Sequence, residues 1–89
     1  MQVVIVEDEL LTAEDLAGIL LQLPYGITVP KILSSVKEAV EYFQYHRPPE
    51  LLFCDIQLGD GQSFDIFKLM DTNTPVIFCT AFNDYALDA

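Results

Sequence analysis

The chain has 89 residues, the size of one small domain, and 52% of them are hydrophobic, which favours a packed core over disorder. Fourteen acidic residues against four basic ones give a formal charge of −10. That balance argues against nucleic-acid binding by this domain, because neutralising a phosphate backbone takes Lys and Arg. The longest apolar runs fall far short of the ~18 residues of a membrane span, and the N-terminus lacks the basic-then-apolar pattern of a secretory signal, so a cytoplasmic location is the default expectation.

Strand one is expected at about residues 2–6. Helix one follows, with Leu10, Leu11, Ala13, Leu16, Ala17, Ile19, Leu20 and Leu23 at helical spacing and Glu14 and Asp15 outside. Pro24-Tyr25-Gly26 ends it. Strand two, about 27–33, contains Pro30, which cannot donate to a ladder and places the strand at a sheet edge. Ser35-Val-Lys-Glu38 reads as a capping box opening helix two, which carries Val36, Ala39, Val40 and Phe43 and stops before Pro48-Pro49. Strand three is about 50–54. Asp55 to Gly61 is expected as a loop, with Gly59-Asp60-Gly61 as turn chemistry. Helix three is expected at about 62–71, strand four at about 76–79, and a fourth helix opens at Asn83-Asp84, within which the chain ends. Cys54 and Cys79 read as buried, reduced core residues rather than a disulfide. There is no CxxC pair, and a lone His46 makes no His-rich metal set.

Three apolar runs each stop on a polar residue: Val3–Val6 at Glu7, Leu51–Cys54 at Asp55, Val76–Cys79 at Thr80. Short all-apolar runs are the mark of strands buried on both faces of a parallel sheet. The alternation of strands and helices gives an α/β, flavodoxin-like parallel sheet with helices on both faces, in strand order 2-1-3-4. All C-terminal ends then lie on one rim, where ligand sites of open α/β sheets sit, and the switch point falls between strands one and three. Glu7, Asp8, Asp55 and Thr80 are expected to converge there.

Each of these residues has an ordinary structural explanation. Asp55 is a common kind of strand-ending turn residue, Thr80 a generic strand-end Thr, and Glu7 and Asp8 can serve the N-terminus of helix one. Together they describe a site for a hard cation and a phosphoryl group. Crowded carboxylates repel unless a cation is present, and Mg²⁺ takes oxygen ligands, with one or two carboxylates plus a phosphate. A carboxylate beside it is a nucleophile for a phosphoryl donor.

The stretches Val-Ile-Val-Glu7-Asp8-Glu9, Leu-Leu-Phe-Cys-Asp55-Ile-Gln-Leu-Gly-Asp-Gly and Pro75-Val-Ile-Phe-Cys-Thr80-Ala81 resemble, in order and spacing, the receiver domain of two-component response regulators, whose fold is CheY-like. The resemblance implies that Asp55 is the phosphoacceptor. It makes Asp8 a direct Mg²⁺ ligand, Glu7 a support for the metal, Gln57 a ligand through its backbone carbonyl, and Thr80 the switch hydroxyl. It also implies a sensor histidine kinase as partner and an attached output domain. The stretch from Cys79 to Leu87 is similar to receivers that precede LytTR-type DNA-binding domains.

The chain departs from the family pattern at Gly59, where Pro is usual, and at Ser63, where Gly is usual. Phe82 is expected over the pocket mouth. Receivers also continue into a fifth strand, bearing a phosphoryl-binding Lys, and a fifth helix. Lys31, Lys37 and Lys68 are not expected at the rim. The chain therefore reads as a receiver truncated within its fourth helix, with homodimerisation or domain exchange covering the exposed face. A haloacid-dehalogenase-type phosphatase is disfavoured because Gln57 stands where a second Asp is needed. A nucleophile elbow around Ser63 lacks its second Gly. The remaining rival is a phosphate-independent docking module.

Overall fold

The computed structural model describes residues 1–69 and 73–79. Thr80, Phe82 and the expected fourth helix lie outside the described residues. Four strands, β1 (Gln2–Val6), β2 (Thr28–Leu33), β3 (Leu51–Asp55) and β6 (Val76–Cys79), form one sheet in the order β2-β1-β3-β6, with every pairing parallel. This is the 2-1-3-4 arrangement expected from the sequence, with β6 as the fourth long strand. Pro30 sits in β2, at the edge, where its missing N–H costs no ladder bond.

Alternate residues of β1 feed two cores, one on each face. Val3 and Ile5 pack with Ala13 and Leu20 of α1 (Leu10–Gln22) and with Ile27. Val4 and Val6 pack with Leu33, Leu52, Cys54, Leu58, with Ala39 of α2 (Val36–Tyr45) and with Ile66 of α3 (Phe64–Leu69). The period-two geometry of a strand therefore sends α1 to one face and α2 and α3 to the other.

The eight apolar residues of helix one do not all turn inward. Ala13, Leu16, Ala17 and Leu20 pack on the sheet, whereas Leu10, Leu11 and Ile19 are exposed, Leu11 by 77%. A helix lying on a sheet buries an arc of roughly 100°, and eight positions within 14 residues overfill it. Ile77 and Phe78 likewise keep 45% and 41% of their surface, because β6 has a sheet neighbour on one side only among the described residues. Phe78 packs its ring on Phe64 and Phe67 of α3.

The capping box at α2 is half as expected. Ser35 Oγ accepts the Glu38 N–H at 3.0 Å, but Glu38 Oε2 accepts from the backbone and hydroxyl of Ser34 rather than from Ser35. The segment after Asp55 is more ordered than a loop. Gln57–Leu58 (β4) and Gly61–Gln62 (β5) form a two-stranded antiparallel hairpin, which delays α3 to Phe64. Ser63, fully buried, closes the base of this hairpin: its N–H donates to Ile56 O at 3.0 Å and its hydroxyl to the same oxygen at 3.3 Å.

Candidate metal centre

The site begins with the register of β1 against β3. Val6 pairs with Cys54, so the next residues, Glu7 and Asp55, stand at the same level at the C-terminal ends of β1 and β3. The Glu7 N–H donates to Leu33 O at 2.8 Å and holds the chain in the sheet plane one residue beyond β1. Helix α1 starts later than an Asp8 cap requires. Glu9 takes the N-cap position without a capping side-chain bond, and its carboxylate instead accepts the Thr12 hydroxyl at 3.2 Å. Asp8 is thereby left to the rim.

Ligand oxygens of Glu7, Asp8 and Asp55 all lie within 4.8 Å of one another. Glu7 is 9% exposed, Asp55 half-buried and Asp8 exposed, so the cluster opens to solvent on the Asp8 side. Burial, a hydrogen bond shared with Asp55 and the charges of Asp55 and Asp8 push the Glu7 carboxyl up to about 8, although the Asp8 N–H, donating to Glu7 Oε2 at 3.1 Å, opposes the shift. Without a cation, a proton on Glu7 relieves the crowding. Three hard oxygen donors at this spacing, one of them holding a proton because it is buried beside anionic neighbours, fit a divalent cation of the Mg²⁺ class.

Gln57 follows Asp55 by two residues, with an exposed side chain in β4. The hairpin tip lies against the acids: a Cβ on Gly59 would stand 3.9 Å from Asp8 Oδ2. Asp60 was readable in the sequence only as turn chemistry. In the fold its carboxylate accepts the Val36 N–H at 2.9 Å and the Lys37 N–H at 3.1 Å, across 24 and 23 residues. Those two bonds hold the Asp60 carboxyl below its ordinary range. No local pattern announces such a contact. His46 ends α2, its Nδ1 2.9 Å from Tyr42 O and its ring stacked on Tyr42. Lys68 pairs with Asp65 at 3.4 Å. Thr80 lies outside the described residues.

A doubly wound parallel sheet with a carboxylate cluster at its switch point defines the CheY-like class of α/β domains. Comparison with known proteins narrows the class to a family. The model of the response regulator receiver domain matches residues 3–89, and the chain belongs to that family. It is 38% identical over 92 residues to the sensory transduction protein LytT of Enterococcus faecalis, covering 100% of this chain and 37% of that protein. Among solved structures, the anti-anti-sigma factor PhyR of Bartonella quintana, in complex with the anti-sigma factor NepR, matches with 40% identity and a TM-score of 0.74, over 96% of this chain and 35% of that one. The CheX–CheY–BeF3–Mg²⁺ complex of Borrelia burgdorferi matches with 25% identity and a TM-score of 0.78, over 98% of this chain and 66% of that one. The chain spans about a third of the length of the curated relatives it matches, 31–37% of each. Among the described residues, no helix is long and apolar enough to cross a membrane.

Proposed function

We propose that this receiver domain is a phosphoacceptor, with Asp55 taking a phosphoryl group from a sensor histidine kinase. The observation that carries the reading is the meeting of Asp55 with Asp8 and Glu7 at the end of two adjacent strands. Asp8 and Asp55 would hold Mg²⁺ directly, Glu7 would support it, and Gln57 would offer its backbone carbonyl. When bound, the ion supplies positive charge against the equatorial oxygens of the transferring group. Asp55 Oδ forms the new O–P bond as the P–N bond to the kinase's phosphohistidine breaks. Glu7 gives up its proton when the site fills, and β1 and β3 hold the acids in place so that little rearrangement precedes the attack.

Thr80, the first residue past β6, is the proposed switch hydroxyl that follows the new charge and alters the partner surface. The BeF3–Mg²⁺ ligands named for the Borrelia CheY complex support the ligand class. The PhyR–NepR complex supports protein–protein contact as the output of such chains, and the greater length of the LytT relatives, of which this chain covers 37%, an attached output domain. The test uses Mg²⁺ and acetyl phosphate followed by peptide mass spectrometry. The expected result is a label on Asp55 that needs Mg²⁺ and disappears in Asp55→Asn. A chain that takes no label is instead a phosphate-independent docking module, and a label elsewhere overturns Asp55 as the acceptor.

A further inference from the structure

We propose that Asp60 is a positioning residue for the metal centre, acting by fastening the β4–β5 hairpin to the start of α2. The inference rests on the Mg²⁺ reading above.

Three consecutive residues at the hairpin tip each meet a different part of the fold. Gly59 packs near Asp8, its virtual Cβ 3.9 Å from Asp8 Oδ2. Asp60 accepts the Val36 and Lys37 N–H groups at 2.9 and 3.1 Å. Gly61 has φ +152°, and a Cβ there would stand 3.5 Å from Asp65 Oδ2 and 3.7 Å from Val36 Cγ2. Both contacts are ordinary van der Waals distances, so the backbone conformation, rather than lack of space, favours Gly at that position.

The first amides of α2 have no partner within the helix. Ser35 satisfies one of them, Glu38 N–H, and Ser35 belongs to α2's own turn. Asp60 satisfies two more, those of Val36 and Lys37, and belongs to the segment that begins at Asp55. A carboxylate at a helix N-terminus makes charge-assisted bonds favoured by the helix dipole. The same helix end thus carries two capping side chains with different consequences. Ser35 stabilises α2 alone, whereas Asp60 also fixes the height of the backbone from Gln57 to Gly59 over Asp8. The base of that segment is already pinned by Ser63 on Ile56 O, so its tip is the remaining degree of freedom.

The experiment compares Mg²⁺ affinity by isothermal titration calorimetry in wild type, Asp60→Ala, Asp60→Asn and Ser35→Ala. Asp60→Ala is expected to weaken Mg²⁺ about three- to tenfold, at or below the lower edge of the roughly 10–100-fold effect of losing a residue that bonds a ligand directly, because Asp60 acts through the backbone of the hairpin. Asp60→Asn, which keeps an acceptor oxygen and folds with the least disturbance, is expected to fall between. Ser35→Ala is expected to lower the melting temperature while leaving Mg²⁺ affinity within twofold. Unchanged affinity in both Asp60 variants overturns the proposal, and so does an equal loss in Ser35→Ala, which would mark general helix fraying. A wild type that binds no Mg²⁺ overturns the metal reading itself and this inference with it.

Discussion

Glu7 is nearly enclosed, touches two other acids, and holds its proton up to about pH 8. Its ordinary value is 4.5, so between pH 4.5 and 8 the folded chain binds more protons at this position than the unfolded chain does. Stability therefore falls as pH rises through that window, the reverse of a salt-bridged carboxylate. With a chelator present, the melting temperature of the wild type is expected to decline from pH 5 to pH 8. Glu7→Gln, which mimics the protonated form, is expected to flatten that decline, and saturating Mg²⁺ to flatten it in the wild type. Circular dichroism melts across the series check this; equal slopes in wild type and Glu7→Gln would clear Glu7 of the role.

At the scale of elements, burial separates residues that look alike in the sequence. Leu20 and Leu11 both lie in α1, yet Leu20 packs on Ile5 and Val3 while Leu11 faces solvent. Leu20→Ala is expected to cost about 2–5 kcal/mol and Leu11→Lys less than about 0.5 kcal/mol in urea unfolding. Ser35→Ala is expected to cost about 1 kcal/mol through its lost bond to Glu38 N–H. The strand order and the edge place of β2 were legible because uninterrupted apolar runs and Pro30 report directly on sheet position. The acids at the rim were legible because strand ends in a parallel sheet share a side. The exposed side of α1 was not, since periodicity marks a stripe and not how much of it a sheet covers. The β4–β5 hairpin was hidden because two-residue strands leave no alternation to read. Asp60 and Ser63 were read from neighbouring residues, whereas Asp60's partners lie more than 20 residues away.

For the whole molecule the governing quantity is a charge of −10 on 89 residues. Such an excess destabilises the compact state by self-repulsion, and any salt relieves part of it by screening. A bound divalent cation does something salt does not: it stabilises only the folded state, in proportion to site occupancy. At Mg²⁺ ten times its dissociation constant that increment is about 1.4 kcal/mol, or roughly 6–11 °C in the melting temperature of a domain of this size. The wild type is therefore expected to melt that much higher in Mg²⁺ than in NaCl of equal ionic strength. Asp8→Asn is expected to keep the fold, because Asp8 neither caps α1 nor enters the core. It also removes one charge from the excess, so it is expected to melt at least as high as the wild type in NaCl. Added Mg²⁺ should then bring it little beyond screening. If wild type and Asp8→Asn gain equally from Mg²⁺, the cation acts on the diffuse charge of the surface, and the three acids at the sheet end do not form its site.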